Sequence, residues 1–237
     1  MSFGGHGEPR PDLAAIRARN YANSLPDLGD VLLVAEFSGA TLRRNREAKR
    51  ILFGMANVLV GVTGGIAAYK APAVIRRLRE AGHEVETIAT EAAFHFISEE
   101  TLSIATGGHV RTEKTWWEES GRVEHVSLAR WADLVLVAPA TADAMARVAI
   151  GLGDDLLSAT ILAGAKKVLW APAMNPEMWE NPATKRNVET LGSWGHHFVG
   201  PAEGSMASAE EEPGLGRLVE EAEIVAAVER ALSTEGR

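Results

Sequence analysis

Short runs of apolar and β-branched residues alternate along this chain with longer segments that repeat with the period of a helix. The runs occupy residues 57–62, 84–89, 133–138, 167–171 and 196–200, and the helical segments occupy 66–81, 91–97, 141–151, 154–163, 183–194 and 220–232. Continuous apolar runs are typical of strands that are buried on both faces of a sheet. Strands that alternate with helices pair in parallel, with helices on both sides. The pattern therefore predicts an α/β fold, a three-layer sandwich around a parallel sheet.

The first 54 residues do not share this alternation. They contain a candidate helix at 12–22, an apolar segment at 30–37 and a basic stretch at 41–52. We therefore divide the 237 residues into an N-terminal extension, 1–54, and a single domain, 55–237, which is long enough for a sizeable core. The extension could pack on this domain or on a neighbouring subunit, and its first residues could equally be a disordered arm.

Composition excludes several classes of function. The formal net charge of −8 argues against nucleic acid as the partner, because phosphate backbones are bound by basic surfaces. The chain has no cysteine, so a thiolate zinc site, an iron–sulfur cluster and a catalytic thiol are ruled out, and we expect no metal. No apolar run approaches the ~20 residues of a membrane span, and the N-terminus lacks a secretory signal. We therefore expect a cytoplasmic protein without a membrane partner.

Two turns between a strand and a helix carry small and hydroxyl residues. The first contains Gly64 and Gly65, the second runs Thr141-Ala142-Asp143, and Thr90 ends the strand between them in sequence. Glycines let backbone N–H groups approach an anion, and a helix N-terminus favours negative charge. Because the carboxyl ends of parallel strands share one edge, the turns predict a mononucleotide pocket. Each could also be a plain tight turn, with Asp143 a helix N-terminal acid.

Two further segments carry groups that could act on a substrate. His125 precedes the strand at 133–138, where it could serve as a general base, although a single histidine is more often a surface or capping residue. In the loop 172–184, the amide of Asn175 suits a carboxylate, and Met178 and Trp179 offer an apolar wall. The alternative for this loop is a rigid turn with side chains anchored in the core.

Together these motifs closely resemble the flavin-dependent cysteine decarboxylases, which include phosphopantothenoylcysteine decarboxylases and epidermin-type peptidyl-cysteine decarboxylases. The resemblance covers about residues 56–232 and rests on VTGGIAAYK, TEAAFHFI, EHVSLARWADLVLVAPATAD, ARVAIGLGDDLLS and PAMNPEMWENPAT. It implies a flavodoxin-like (Rossmann-like) sheet that binds FMN, with FAD as the alternative. It also implies that the cofactor lies between the subunits of a homotrimer, or of a homododecamer of four trimers.

The resemblance also implies roles for individual residues. The cofactor would contact Gly64, Gly65, Ile66, Thr90, Thr141 and Ala142, to which the second turn adds Asp143. His125 would be the active-site base, and Asn175 would hold the substrate carboxylate beside Met178 and Trp179.

The glycine-rich segment 204–217 departs from the family pattern. Where coenzyme A enzymes usually carry a cysteine within an Ala-Cys-Gly sequence, this chain has Ala207-Ser208-Ala209. The resemblance implies that this cysteine returns an enethiol intermediate to a saturated thiol, for which a serine hydroxyl is far too weak an acid. Ser208 is therefore a candidate substrate contact, and the enethiol should be the final product.

The leading hypothesis from the sequence is FMN-dependent oxidative decarboxylation of the C-terminal cysteine of a peptide. Oxidising the thiol to a thioaldehyde creates a C=S group β to the carboxylate, and that group accepts the electrons left behind by CO2. The alternative substrate is phosphopantothenoylcysteine, in coenzyme A biosynthesis. A hypothesis of another class is a flavin-binding regulatory subunit without catalysis, against which the presence of both His125 and Asn175 argues.

Overall fold

Six parallel strands form the central sheet of the computed structural model, which describes residues 54–118, 121–205 and 212–233. The strands are β1 (Asn57–Val62), β2 (Glu84–Ala89), β3 (Val110–Arg111), β4 (Leu134–Ala140), β5 (Val168–Pro172) and β6 (His197–Phe198). Their order across the sheet is β3-β2-β1-β4-β5-β6, and every neighbouring pair is parallel. The predicted α/β fold with a parallel, flavodoxin-like sheet is confirmed.

Helices connect these strands. The α-helices of the described residues are α1 (Ala71–Glu80), α2 (Glu99–Thr106), α3 (Glu113–Trp116), α4 (Glu124–Trp131), α5 (Ala142–Ala149), α6 (Leu156–Leu162), α7 (Pro176–Glu180), α8 (Pro182–Ser193) and α9 (Glu221–Ser233). Short 3-10 helices at Ile66–Lys70 and Glu91–His95 precede α1 and α2. The helix predicted over 66–81 thus begins as a 3-10 turn, and its α-helical part starts beside Pro72, which suits a first turn because it has no N–H.

The alternating side chains of β1 divide the core into two layers. Val58 and Val60 belong to one cluster, together with side chains of α1 and α9. Leu59 belongs to the other cluster, together with side chains of α5 and α6. All three are completely buried. Burial on both faces explains why β1 reads as an unbroken apolar run rather than as an alternation of apolar and polar residues.

Four strands differ from the sequence-based expectation. The strand expected at 196–200 shortens to β6, and β3, with two residues, was not expected at all. An antiparallel hairpin of β7 (Ala202–Gly204) and β8 (Gly214–Arg217) forms a second, separate sheet. Strands of two to four residues are too short to give a periodic signal, and their formation depends on the strands that they pair with.

The proposed extension, 1–54, lies outside the described residues except for Gly54. The same is true of the predicted helix at 12–22, the apolar segment at 30–37 and the basic stretch at 41–52. The role of the extension and its boundary at residue 54 stay predictions. All the described elements belong to one compact unit, Arg50–Arg237.

His196, just before β6, contacts two tryptophans. Its Nδ1 accepts a hydrogen bond from the indole Nε1 of Trp170 at 3.0 Å, and the two rings stack with centroids 6.0 Å apart. The ring of Trp194 meets His196 edge-on. Burial lowers the pKa of His196, and the neighbouring His197 lowers it further.

We expect His196 to make the folded state less stable in acid. The unfolded chain binds the proton more readily than the folded one, so stability declines as pH falls below the unfolded pKa of about 6.5. His196→Asn, whose amide oxygen can still accept the Trp170 N–H, should flatten this decline, whereas His197→Asn should largely keep it. Urea unfolding at about pH 7.5 and about pH 5.5 measures both variants, and an undiminished decline in His196→Asn would contradict the expectation.

Candidate functional site

The carboxyl ends of β1 and β4 meet where the strand order of the sheet reverses. The chain proceeds outward from β1 to β2 and β3, and then returns to β4 on the other side of β1. Open α/β sheets bind ligands in the crevice at such a switch point. Both turns that the sequence singles out lie here, one directly after Val62 and the other directly after Ala140.

The hydroxyl of Thr63 joins these two turns. Its Oγ1 donates to the carbonyl oxygen of Pro139 at 2.7 Å and accepts from the backbone N–H of Thr141 at 3.1 Å. Thr63 is only 1% exposed, so both hydrogen bonds are shielded from water. The side chain of Thr141 in turn caps α5 by accepting from the N–H of Ala144. One hydroxyl thus fixes the spacing of both turns at the sheet edge.

A cavity of about 500 Å³ opens beside these turns, a volume within the usual range for small-molecule sites. Its wall is formed by Thr63, Gly64, Thr90, Glu91, Ala92, Glu113, Thr141, Ala142, Asp143, Ala144, Arg147, Val148, Asp155, Leu157, Ser158, Ile161, Trp170 and Met178. Five of the predicted cofactor contacts are therefore neighbours in space: Gly64, Thr90, Thr141, Ala142 and Asp143. Gly65 and Ile66 follow Gly64 in the chain but lie outside this wall, and the Ile66 side chain is 53% exposed.

Gly64 is required by a close approach of two backbone segments. A Cβ atom here would clash with the Cβ of Ala92 and would lie 2.8 Å and 2.9 Å from the carbonyl carbon and oxygen of Ala92. Ala92 belongs to the 3-10 helix that follows Thr90. At Gly65 a Cβ would meet only the methyl group of Thr141, at 3.5 Å. The absence of a side chain at Gly64 therefore brings the first turn against the segment after β2.

The wall residue Arg147 is paired with nearby carboxylates. Arg147 donates to Asp143 at 2.9 Å and also forms a salt bridge with Asp154. These two carboxylates raise the pKa of Arg147 above its already high usual value. Asp143 lies in the first turn of α5, as expected for an acid at a helix N-terminus. It also lines the cavity.

Glu113 is a wall residue that the sequence analysis missed. Its carboxylate oxygens lie 3.0 Å and 3.3 Å from the backbone nitrogen of Leu156, the first residue of α6, whose N–H donates to them. Burial raises the pKa of Glu113, and the nearby acids Asp155 and Glu91 raise it further. The hydrogen bond from Leu156 lowers this pKa, but by less than burial raises it. No motif signals this residue, because its partner is 43 positions away in the chain.

Asn175 is the N-cap of α7. Its Oδ1 accepts from the backbone N–H of Glu177 at 2.8 Å, and Pro176 occupies the first position of the helix. The preceding residue, Met174, donates its backbone N–H to the carbonyl of Gly216 in β8 at 2.9 Å. A Cβ at Gly216 would clash with the carbonyl oxygen of Met174. The hairpin therefore lies directly on the loop that presents Asn175.

The other predicted substrate contacts differ in position. Met178 lines the cavity and is 49% exposed, as a wall residue should be. Trp179 is 8% exposed and belongs to the core cluster, where it matches the alternative of a rigid turn with a core anchor. Ser208 lies outside the described residues. The substrate roles of all three stay predictions.

His125 is the second residue of α4 and lies outside the cavity wall. Its Nδ1 accepts a hydrogen bond from the indole Nε1 of Trp116 at 3.2 Å, and the two rings meet edge to face. Trp116 was not among the predicted site residues, since nothing in the sequence spacing shows that α3 packs against the start of α4.

The described residues contain neither a candidate metal site nor a candidate membrane span. None of their His, Asp and Glu side chains form a group of three that could hold a metal ion. None of their helices is both long and apolar enough to cross a membrane.

Comparison with known proteins adds to this geometry. A family model described as Flavoprotein matches residues 47–233. The coenzyme A biosynthesis bifunctional protein CoaBC of Mycolicibacterium smegmatis is 47% identical over 167 residues, which are 70% of this chain and 39% of the relative. CoaBC of Vibrio vulnificus is 42% identical over 173 residues, covering 73% of this chain and 43% of the relative. The chain thus spans about two fifths of the length of these curated relatives.

Two solved structures share the fold at more than 30% identity. One is a PPC decarboxylase, in a cysteine-to-serine mutant complexed with pantothenoylaminoethenethiol, with 31% identity, a TM-score of 0.65, and coverage of 73% of this chain and 96% of that one. The other is the FMN-dependent cysteine decarboxylase SpaF, with 32% identity, a TM-score of 0.63, and coverage of 75% and 95%. The resemblance to flavin-dependent cysteine decarboxylases is confirmed.

Proposed function

This chain belongs to the Flavoprotein family, and on that premise we propose that it decarboxylates a cysteinyl carboxylate with FMN as its cofactor. The observation that carries the proposal is the cavity at the switch point, which gathers the two threonine-linked turns and Met178. The solved structures named as decarboxylases support it.

The residues of the cavity fit a flavin mononucleotide. The two turns offer backbone N–H groups and the hydroxyls of Thr90 and Thr141 for a phosphate. The wall also contains Leu157, Ile161 and Trp170, apolar side chains that suit a ring system. Because Arg147 is paired with acids, it is the N–H groups and hydroxyls that would balance the phosphate charge. None of the wall residues is assigned as a contact for an adenine base, so we rank FMN above FAD as the cofactor.

When bound, FMN would supply the acceptor for the hydride that leaves the carbon next to sulfur, with molecular oxygen as the final oxidant. The chain supplies position. The side-chain oxygen of Asn175 caps α7, and its side-chain N–H groups donate to the substrate carboxylate. The imidazole of His125 contacts the reacting cysteinyl group. Met178 lines the cavity and would contribute apolar surface there.

We place phosphopantothenoylcysteine first among the substrates. The curated relatives at 42–49% identity are coenzyme A biosynthesis proteins, whereas SpaF is 32% identical. This reverses the order of the two substrates in the sequence-based hypothesis. A cysteine-terminated peptide remains the second candidate, because the 237 residues contain no cysteine that could act as the reducing thiol.

The same lack of cysteine predicts an oxidised product. Loss of CO2 and of one hydride from the substrate carboxylate leaves an enethiol, and returning it to a saturated thiol needs two electrons and protons that no thiol of this chain can relay. A PPC decarboxylase whose cysteine is replaced by serine is the one complexed with an aminoethenethiol.

Mass spectrometry of the products tests the proposal. The FMN-loaded protein is incubated in air with phosphopantothenoylcysteine and, separately, with a cysteine-terminated peptide. We expect the first substrate to lose CO2 and two hydrogen atoms. Loss of CO2 alone would contradict the prediction of an oxidised product. Turnover of the peptide but not of phosphopantothenoylcysteine would contradict our ranking of the two substrates. Bound FMN without turnover of either substrate would favour the regulatory subunit, and failure to bind FMN would overturn the whole proposal.

The quaternary structure is part of the same proposal. We propose a homotrimer, or a homododecamer of four trimers, because the resemblance implies a cofactor between subunits. Light scattering of the purified protein gives the mass that distinguishes the two.

A further inference from the structure

Strand β8 of the hairpin packs backbone against backbone on the loop before α7. The N–H of Met174 donates to the carbonyl oxygen of Gly216 at 2.9 Å. A Cβ at Gly216 would clash with the carbonyl oxygen of Met174 and would lie 3.3 Å from both the carbonyl carbon of Met174 and the nitrogen of Pro176. A Cβ at Gly214 would lie 2.7 Å and 3.0 Å from Cγ and Cβ of Pro176. Two glycines of one strand thus allow an approach that side chains would prevent.

Backbone conformation does not explain these two glycines. Neither Gly214 nor Gly216 is among the glycines with a positive φ. In a strand that needs no such conformation, residues with side chains are favoured over glycine. The close contact with the loop is therefore the physical reason for glycine at both positions.

The loop is restrained on both sides of Asn175. The N–H of Ala173 donates to the carbonyl oxygen of Ala140, at the end of β4, at 3.0 Å. On the other side, the N–H of Trp179 donates to the carbonyl oxygen of Asn175 at 3.0 Å, and the Trp179 side chain is buried. Between them, β8 holds Met174, the residue directly before Asn175. The position of the Asn175 side chain therefore depends on the hairpin as well as on its own helix.

Strand β8 can support the loop because its own end is anchored. The two residues that follow it, Leu218 and Val219, are almost completely buried in the core cluster that also contains side chains of α1 and α9. Arg217, the last residue of β8, forms a salt bridge with Glu220 at 2.8 Å. A side chain added to β8 would consequently displace the loop more readily than the strand.

We infer that Gly214 and Gly216 are positioning residues, which set the amide of Asn175 at the place where it recognises the substrate carboxylate. This inference rests on the proposed function, in which Asn175 donates to that carboxylate. Its consequence is selective. A displaced loop weakens the binding of a ligand that carries the carboxylate, while the flavin, which we assign to the turns after β1 and β4, stays bound.

Amide hydrogen exchange, measured by NMR on the FMN-loaded protein, tests the contact without any substrate. The N–H of Met174 should be protected in the wild type, and Gly216→Ala should accelerate its exchange about tenfold or more. Gly192→Ala is the matched control, because Gly192 is an exposed residue of α8 at which a Cβ meets nothing within 4 Å. Fast exchange of Met174 in the wild type, or equal protection in Gly216→Ala, would overturn the inference.

Two unreactive ligands that differ only in the carboxylate test the consequence. The analogue of phosphopantothenoylcysteine with alanine in place of cysteine has no thiol to oxidise, and the corresponding ethylamine derivative also lacks the carboxylate. Calorimetry with the FMN-loaded protein should show that Gly216→Ala weakens the alanine analogue about tenfold or more, and the ethylamine derivative less than about threefold. Equal weakening of both ligands would indicate general damage to the fold and would overturn the positioning role.

Gly214→Ala keeps the inference testable if Gly216→Ala does not fold, because its Cβ would meet a proline ring instead of a backbone carbonyl. It should also weaken the alanine analogue selectively. Adding Pro176→Ala removes the Cγ atom from this contact and should recover part of the affinity, and no recovery would contradict the assigned contact. If the wild type binds neither ligand, the proposed substrate is wrong. Faster exchange of Met174 in either glycine variant would then still support the role of β8, and unchanged exchange would overturn it.

Discussion

Replacing Gly64 by alanine is expected to abolish retention of the flavin and to lower the free energy of unfolding by about 2 kcal/mol or more. The added Cβ has no room, because it would meet both the side chain and the carbonyl group of Ala92. Relief requires the turn after β1 to move away from the segment after β2, and both segments form the cavity wall. Flavin content after gel filtration and urea unfolding of the apoprotein measure the two effects separately.

Gly65→Ala is the matched control for this variant. At that position a Cβ would lie in ordinary contact with a methyl group of Thr141, 3.5 Å away, and the backbone is extended with φ −152°. We expect stability within about 0.5 kcal/mol of the wild type and normal flavin content. Equal damage from both substitutions would show that the turn tolerates no side chain at all and would contradict the specific role of the contact with Ala92.

Replacing Asn175 by aspartate is expected to lower kcat/KM about 100-fold or more while leaving the fold intact. The carboxylate of aspartate can still accept the N–H of Glu177, so α7 keeps its cap. What is lost is an amide donor to a negatively charged substrate group, worth about 1.5–3 kcal/mol, and a repulsion between two carboxylates is added. Steady-state kinetics with the preferred substrate, together with the thermal unfolding midpoint, tests this expectation.

Asn181→Asp provides the corresponding control. Asn181 caps α8 in the same manner, with its Oδ1 accepting from Ala183 N–H at 2.9 Å, and it has no proposed contact with the substrate. The substitution should change neither kcat/KM nor stability appreciably. A comparable loss of activity in both variants would mean that helix capping, and not substrate contact, explains the effect at Asn175.

The parts of the fold that could be predicted are those whose signal lies in a continuous segment. The strands β1, β2, β4 and β5 lie within two residues of the predicted runs. Burial on both faces makes β1, β4 and β5 continuously apolar, whereas β2 begins with an exposed glutamate and is buried only in its second half. Gly82, predicted to follow a helix end, has a φ of 100°, a conformation that glycine adopts without strain. In contrast, β3 and the β7–β8 hairpin depend on partners far away in the chain, so their own sequences do not reveal them.

The same distinction applies to the site. The two turns were predictable because each follows a strand and because parallel strands end at a common edge. The cavity then brought Gly64 and Thr141 together as expected. Glu113 and Trp116 were not predictable, since each matters only through a contact between elements that the fold brings together. Trp179 could be read either way, because a tryptophan beside a binding loop serves equally as wall or as anchor.

Because the Thr63 hydroxyl joins the two turns through hydrogen bonds within the protein itself, we expect the proposed cofactor site to be preorganised. Ordering it costs a ligand little conformational entropy, so most of the interaction energy with a phosphate remains available as affinity. A heat-capacity change on cofactor association would then report buried ring surface, with only a small contribution from refolding of the loops.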